Sequence, residues 1–316
     1  MATLANVKID REFWKDYLST QASRLPHLDD VEDVTDRVIR VMGGNPGEMQ
    51  LQGTNTFLVG TGKARILIDT GEGVPVWIER LVGILKERDL IITHVLLTHW
   101  HGDHTGGVPD LVAYDSAIAD RVYKCNPDPG QNDIEDGQIF AVEGATIKAL
   151  FTPGHAVDHM CFFLEEENAL FTGDNVLGHG FTVVEDLAVY LQSLDRMAEQ
   201  GCTIGYPAHG IEIQNLPAKL NQYIRQRRAR EKLIYGVLLD SMSNGGRNTY
   251  SKSGLSTREI ISKVHGDVPA HLLQSAIEPS TMEILRMLAD TRKVGFIMQG
   301  GTQRWFVNKT CKLVVA

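Results

Sequence analysis

The chain has 316 residues, of which 43% are hydrophobic, and it carries a formal net charge of −9 at pH 7. This length exceeds that of a usual single domain, so one core with an appended module is expected, while the acidic balance argues against a general nucleic-acid binder. No apolar run approaches the roughly 20 residues of a membrane span, and no secretory leader is evident. Because the four cysteines are scattered and predict reduced thiols, we expect a cytoplasmic protein.

Hydrophobic periodicity predicts the elements of the N-terminal part of the chain. An amphipathic helix is expected over residues 9–23, and helical spacing returns over residues 76–88 and 185–194. Short apolar runs predict buried strands over residues 64–68, 93–97, 145–150, 170–173 and 202–207. Each of these runs ends beside an acid, a histidine, Gly or Pro. The polar residues at these strand ends are therefore the candidates for a site.

The pattern changes to mostly helix in the C-terminal part of the chain. We expect a long helix that is broken near Gly236, and a second helix that starts at Ser256 with Glu259 three residues later. A third helix precedes a hairpin. The long helix, the third helix and the hairpin cover residues 217–240, 281–290 and 294–307.

Helices followed by a hairpin resemble a small winged-helix module. No basic recognition stripe is evident in these residues, so a lid or packing role is favoured over DNA binding. The change in pattern predicts a first domain over residues 1–213, including the N-terminal helix, and a helical, winged-helix-like module over residues 214–316.

The densest polar motif follows the strand at residues 93–97 and reads Thr98-His99-Trp100-His101-Gly102-Asp103-His104. In an extended backbone His99 and His101 lie on one face, and Asp103 and His104 follow where the chain turns. Neutral imidazoles with a carboxylate suit a divalent metal that prefers nitrogen and oxygen ligands. Dense ligands on one turn also suit two metals that share a hydrolytic site.

Further polar residues repeat this plan at other strand ends. His155 lies on a Pro-Gly turn, and Asp174 and His209 each follow a short apolar strand. Upstream, Asp69 ends the strand at residues 64–68. Five strand ends with such groups beside Gly or Pro are hard to explain by packing alone.

In this order, the motifs resemble those of the metallo-β-lactamase superfamily over roughly residues 38–213. The resemblance implies an α/β fold, an αββα sandwich of two mixed sheets between helix layers, with the site at one edge. It implies that the first metal is bound by His99, His101 and His155, and the second by Asp103, His104 and His209. It also implies that Asp174 is a carboxylate that bridges the two metals, and that Asp69 is an acid that holds the ligand loop. Zinc and manganese both suit such a paired site.

Two further histidines have open roles. His159 follows His155 by four residues and is interpreted either as a pocket donor beside the ligands or as a structural histidine. His179 lies between two glycines soon after Asp174, and it either lines the substrate mouth or has no role.

Segments 44–56, 154–159 and 174–180 resemble the β-lactamase-like 2 branch, and within it the fungal thioesterases that release aromatic polyketides from non-reducing polyketide synthases. The resemblance implies hydrolysis of a polyketide thioester on the acyl-carrier domain of a separate synthase, with Asp103 orienting the attacking hydroxide. Whether release is coupled to Claisen-type ring closure stays open. The long helix carries a run of basic residues, which comprises Arg225, Arg227, Arg228, Arg230 and Lys232. We interpret this run as a solvent-exposed face of the helix, with a docking surface for an acidic carrier domain as the alternative.

Three alternatives stay open at this point. The same metal pair also suits an endoribonuclease, although the acidic charge speaks against RNA as a partner. A glyoxalase-II-like enzyme would hydrolyse small glutathione thioesters instead. A binding module with a vestigial site is disfavoured because all seven expected ligands are present.

Overall fold

The computed structural model describes residues 25–47, 49–243, 254–266, 270 and 273–308, so the helix predicted over residues 9–23 lies outside the described residues. The chain divides into two compact units. The larger, called the sandwich unit, lies within Trp14–Thr182 and Val189–Gln222; the smaller, called the C-terminal unit, includes the described parts of Val183–Ala188 and Tyr223–Ala316. The domain boundary after residue 213 stays a prediction.

The first sheet of the sandwich unit has seven strands, whose spatial order follows the chain. They are β1 (Val31–Asp33), β2 (Val38–Met42), β3 (Asn55–Val59), β4 (Ala64–Ile68), β5 (Ile91–Leu96), β6 (Val122–Lys124) and β7 (Asn132–Asp133). Pairing is antiparallel from β1 to β4 and parallel from β4 to β7. The parallel strands are connected by helices α1 (Pro75–Glu87), α2 (Gly102–Thr105) and α3 (Val108–Tyr114) and by the 3₁₀ segment Ser116–Arg121.

The second sheet has five strands, β8 (Ile139–Val142), β9 (Ala145–Phe151), β10 (Met160–Leu164), β11 (Ala169–Gly173) and β12 (Ile204–Pro207). Its spatial order is β12-β11-β10-β9-β8, and only β11 and β12 pair in parallel. A 3₁₀ turn at Glu165–Glu167 joins β10 to β11, and helix α4 (Leu187–Glu199) joins β11 to β12.

The central strands of the first sheet are buried on both faces. Their successive side chains alternate between the second sheet on one side and helix α1 on the other. Phe57 and Val59 of β3 pack towards the second sheet, whereas Leu58 between them packs towards α1. Helix α1 presents a stripe at helical spacing that includes Trp77 and Leu81, both without solvent exposure. This helix corresponds to the one predicted over residues 76–88.

Helix α4 lies against the second sheet and completes the fourth layer. Ser193 Oγ donates to the Pro153 carbonyl at 2.6 Å, and Arg196 donates to the Phe151 carbonyl at 3.0 Å. The order helix, sheet, sheet, helix confirms the predicted αββα sandwich.

The C-terminal unit contains most of a long helix, two shorter helices and a small antiparallel sheet. The elements are α5 (Leu216–Ser243), which begins in the sandwich unit, then β13 (Leu255–Ser256), α6 (Thr257–His265), a π-helical turn (Leu273–Ile277), α7 (Glu278–Asp290), β14 (Val294–Gln299) and β15 (Thr302–Val307). The sheet order is β13-β15-β14. The predicted third helix and hairpin are both present, and Ser256 and Glu259 form the predicted capping box at the start of α6. Among the described residues, no helix combines the length and apolarity that crossing a membrane requires.

Two predictions about α5 were wrong. The helix runs through Gly236 without a break, because the buried side chains of Ile234 and Leu238 anchor it on both sides of the glycine. Arg230 does not belong to a solvated basic face; it is 6% exposed and donates to Ser280 Oγ at 3.0 Å. Neither effect is visible in local sequence, since both depend on packing within the C-terminal unit.

Candidate metal centre

The seven predicted ligand side chains converge, although they come from loops that follow four different strands. The His99-to-His104 motif follows β5 and includes α2. His155 follows β9, Asp174 follows β11 and His209 follows β12. Strand pairing brings these ends together, because β11 and β12 are parallel neighbours and the first sheet packs face to face on the second. The side chains form two groups: His99, His101, His155 and Asp174, and then Asp103, His104 and His209.

The first group has three imidazole nitrogens within a small triangle. His99 Nε2 lies 2.8 Å from His101 Nδ1 and 3.2 Å from His155 Nε2, and His155 Nε2 lies 3.1 Å from His101 Nδ1. His99 is fully buried, and burial together with the neighbouring His104 and His155 lowers its pKa well below the usual value. Burial therefore favours the neutral form of His99, which is the form that binds metals.

The second group combines a carboxylate with two imidazoles. His209 Nε2 lies 3.4 Å from Asp103 Oδ2, and His104 Nε2 lies 3.7 Å from the same oxygen. Although burial alone would raise it, the hydrogen bond from His209 holds the pKa of Asp103 well below its usual range. The side chain of Asp103 is 15% accessible to solvent, whereas that of Asp174 is 12% accessible.

Asp174 faces both groups with different oxygens. Its Oδ2 lies 3.5 Å from His155 Nε2, whereas its Oδ1 lies 3.2 Å from His209 Nε2 and 3.7 Å from His104 Nε2. The backbone holds it there because Gly173 adopts a φ of +50°, and a Cβ on Gly173 would lie 2.5 Å from His159 Nε2. The carboxylate of Asp174 therefore lies between the two groups.

Two polar atoms at the centre have no hydrogen-bond partner among the described residues. They are His104 Nε2 and Asp174 Oδ1, and both are inaccessible to solvent. Leaving buried polar atoms unsatisfied costs about 1–3 kcal/mol each, so such atoms indicate a missing partner. Because one is an imidazole nitrogen and the other a carboxylate oxygen, the donor set fits a divalent metal ion.

Asp69 lies behind the motif, at the end of β4. Its carboxylate accepts hydrogen bonds from Thr98 N at 2.8 Å and Thr98 Oγ1 at 2.9 Å, and from His104 Nδ1 at 2.8 Å. The hydroxyl of Thr98, having donated to Asp69, accepts from His99 Nδ1 at 3.0 Å. Because Nδ1 of His99 faces Thr98 and Nδ1 of His104 faces Asp69, the Nε2 atoms of both rings point into the two groups.

Two further imidazoles, those of His155 and His209, are also held through their Nδ1 atoms. His155 Nδ1 lies 2.9 Å from Thr182 Oγ1, and His209 Nδ1 donates to the Gly53 carbonyl at 3.4 Å. Gln50 Nε2 donates to Asp103 Oδ2 at 3.3 Å. No local pattern connects Thr182 or Gly53 with the histidines that they contact.

His159 belongs to neither group. It is fully buried, its Nε2 accepts the backbone N–H of Asp174 at 3.2 Å, and its Nδ1 lies 3.1 Å from Thr152 Oγ1. Burial, with His155 nearby, lowers its pKa well below the usual value. His159 therefore contacts the backbone of Asp174 and does not point into either ligand group.

His179 lies beside the loop that carries His209. Its Nδ1 would be 3.0 Å from a Cβ on Gly210, and this nitrogen has no hydrogen-bond partner among the described residues. The imidazole is half-buried, and burial lowers its pKa. The structure therefore keeps His179 outside both ligand groups.

The glycines that end the motif allow a close backbone approach. A Cβ on Gly107 would lie 2.1 Å from the Thr70 carbonyl, and one on Gly106 would lie 2.5 Å from the Glu72 carbonyl. The end of the motif is thus packed on the loop after β4, the loop that also carries Asp69. Larger residues here would separate Asp69 from His104.

Comparison with known proteins agrees with this arrangement. Residues 49–117 and 113–209 match the sequence profile of the Metallo-beta-lactamase superfamily. The chain is 55% identical over 308 residues to the Atrochrysone carboxyl ACP thioesterase of Aspergillus chevalieri, covering 97% of this chain and 98% of that one. It is also 55% identical over 302 residues to the Lactamase-like protein nscB of Aspergillus fumigatus, and the alignment covers 94% of this chain and 92% of that one.

Solved structures show the same fold. A beta-lactamase domain protein from Burkholderia ambifaria is 16% identical, covers 90% of this chain and 95% of its own, and has a TM-score of 0.72. A metallo-beta-lactamase family protein from Thermus thermophilus is 22% identical, covers 87% and 100%, and has a TM-score of 0.60.

Proposed function

Because this chain belongs to the metallo-β-lactamase superfamily, we propose that it is a thioesterase that uses two divalent metal ions to release an aromatic polyketide from an acyl-carrier domain. The carrier belongs to a separate, non-reducing polyketide synthase. Release proceeds by hydrolysis of the thioester, with or without coupled Claisen-type ring closure.

One observation carries the metal part of the proposal. The two ligand groups meet at Asp174, and the atoms at that meeting point, His104 Nε2 and Asp174 Oδ1, are buried without a hydrogen-bond partner among the described residues. We propose that one ion is held by His99, His101 and His155, the other by Asp103, His104 and His209, and that Asp174 is shared. Nitrogen and oxygen donors suit zinc, and a carboxylate-bearing pair also suits manganese. When bound, such ions polarise a carbonyl and lower the pKa of water towards about 7.

The chain's own residues would orient the reactants. Asp103 is partly exposed and accepts a hydrogen bond from Gln50, so it would be placed to hold the attacking water in line and to accept its proton. The carbonyl carbon gains the water oxygen, and the carbon–sulfur bond breaks to give the carboxylic acid and the carrier thiol. A thiol with a pKa of about 8.5 leaves without a strong protein acid.

Exposed apolar side chains on the segments that carry the centre support an apolar acyl group as substrate. Trp100 is 51% exposed and its ring centroid lies 4.4 Å from that of His101. Met49 is 56% exposed beside Gln50, and Val157 is 67% exposed beside Asp158, which accepts from Trp100 N. A large hydrophobic side chain exposed beside a proposed metal ligand, as Trp100 is beside His101, is typical of ligand sites.

The named relative supports the carrier as partner. The thioesterase of Aspergillus chevalieri is named for an acyl-carrier substrate and aligns with nearly the full length of this chain. Basic side chains at Arg225, Arg228 and Lys232 of α5 offer charge complementarity to an acidic carrier, which mainly raises the association rate and loses effect with salt.

The test is release of product from a loaded carrier. Purified protein should release polyketide from a carrier domain acylated by its synthase, and chelation should abolish release until metal is returned. Glutathione thioesters and RNA serve as competing substrates. Failure to release the polyketide, together with efficient cleavage of either competitor, would overturn the assignment.

A further inference from the structure

A buried ion pair lies beside the first ligand group and is not part of it. Lys124 Nζ, at the end of β6, lies 2.9 Å from Asp158 Oδ2, and the two side chains are 3% and 2% exposed. The ammonium also donates to the carbonyls of Cys125 at 3.2 Å and Asn126 at 2.5 Å, so all three of its hydrogens are used. Ion pairs buried this completely contribute little net stability compared with apolar residues of similar volume, so stability alone does not account for this pair.

The second oxygen of Asp158 reaches the ligand motif. Its Oδ1 accepts the backbone N–H of Trp100 at 3.4 Å. Trp100 lies between His99 and His101, so this contact holds the His99–Trp100 peptide, which is part of the backbone between two proposed ligands. Asp158 itself follows His155 by three residues, and therefore lies in the same loop as the third proposed ligand.

Neighbouring backbone contacts place the pair at a junction of three segments. Leu97 N donates to the Tyr123 carbonyl at 2.9 Å, which fixes the end of β5 beside β6. Met160 N donates to the Thr98 carbonyl at 2.8 Å, which fixes the start of β10 beside the motif. Lys124 and Asp158 thus connect β6, the His155 loop and the His99-to-His101 segment.

We propose that Asp158, held by Lys124, is a positioning residue that sets the direction of the His99 and His101 side chains through the backbone of Trp100. The inference rests on the proposed metal function. Lys124 fixes the carboxylate, the carboxylate fixes the peptide, and the peptide sets where the two imidazole nitrogens lie. Partners of metal ligands typically change metal affinity or activity by about 10- to 100-fold when they are removed.

Two double variants separate this role from that of the ion pair. Lys124→Met with Asp158→Asn removes both charges but leaves an amide oxygen that accepts from Trp100 N. Lys124→Met with Asp158→Ala removes both charges and the acceptor. Neither leaves an unpaired buried charge, so the two differ chiefly in the contact under test.

The measurement is zinc affinity of the metal-free proteins, by competition with a chromophoric chelator, and the absorption spectrum of their cobalt(II) forms. The Asn variant should bind zinc within about threefold of the wild type, and the Ala variant at least tenfold more weakly with an altered cobalt spectrum. Equal affinity and equal spectra for both variants would overturn the proposal. The matched control is Glu32→Gln, which removes a carboxylate facing the buried Arg40 at the far edge of the same sheet and should leave both readouts unchanged.

If the Ala variant does not fold, amide hydrogen exchange in the wild type gives a second test. The Trp100 amide should exchange slowly, and it should exchange faster in Lys124→Met alone. Rapid exchange at Trp100 in the wild type would contradict the contact. Failure of the wild type to bind either zinc or manganese would defeat the proposed metal function itself. That outcome differs from equal affinities among variants that do bind.

Discussion

At the scale of single residues, the centre depends on Asp174 more than on any one imidazole. Each histidine belongs to one group, whereas the two oxygens of Asp174 face different groups. His159 holds the Asp174 backbone through a buried hydrogen bond, and Gly173 gives that imidazole the room it needs. The side chain of Asp174 is therefore fixed in a place from which it faces both groups.

Replacing Asp174 with Ala should reduce metal content and activity together, because it removes a donor from both sites. Metal analysis and thioester hydrolysis on the same preparation measure this. Asp33→Ala is the control, because Asp33 lies on the edge strand β1, where it pairs with Arg88 and belongs to neither ligand group. A fully active Asp174→Ala protein would exclude a shared carboxylate.

Asp103→Asn keeps the size of the side chain and one oxygen but loses the charge that accepts a proton. We expect the turnover rate to fall by more than about tenfold, or about 1.4 kcal/mol in the barrier. The comparison requires the variant and the wild type to carry the same metal content. Near-normal turnover at full metal content would show that Asp103 only binds metal.

Trp100→Ala should raise KM for a planar aromatic acyl thioester by roughly tenfold, which corresponds to about 1.4 kcal/mol of lost apolar contact. The KM for an acetyl thioester should barely change, because a short acyl group does not reach the indole. Parallel kinetics on the two substrates measure this. An equal loss on both would instead indicate damage to His101, whose ring packs on Trp100.

At the scale of elements, local sequence was sufficient where the stabilising contact is local. The capping box of α6 joins Ser256 and Glu259 within one turn, so the pattern alone predicted it. The continuity of α5 through Gly236 could not be predicted in this way, because the contacts that offset the glycine are made by the buried side chains of Ile234 and Leu238. The same reasoning explains why Arg230, buried beside Ser280, was taken for a solvated side chain.

Gly236→Ala should stabilise the protein by about 0.5–1 kcal/mol, since Ala has the higher helix propensity and a Cβ there meets nothing within 4 Å. Denaturant unfolding measures the change. Gly154→Ala is the contrasting variant and should destabilise, because Gly154 has a φ of +131° and its Cβ would lie 2.4 Å from the Cα of Tyr190. A loss of stability in Gly236→Ala would show that α5 is not regular at this position.

At the scale of the whole molecule, the convergence of the seven side chains was predictable because their order along the chain is itself a signature of the family. The ordered set from Asp69 to His209 led to the superfamily, and the comparisons confirm that membership. Among the groups that contact the ligand side chains, Asp69 was expected from the resemblance. Thr182 and Gly53 could not be predicted, because they meet their histidines only in the folded chain. The junction of Lys124 and Asp158 with the motif likewise depends on long-range packing.

The most direct test of the central claim is a metal titration. Metal-free protein is titrated with zinc or manganese while bound metal and hydrolysis of a carrier-bound thioester are followed in the same samples. Two ions should bind per chain, and activity should reach its maximum only as the second is bound. Full activity with one ion per chain, or with none, would contradict the account.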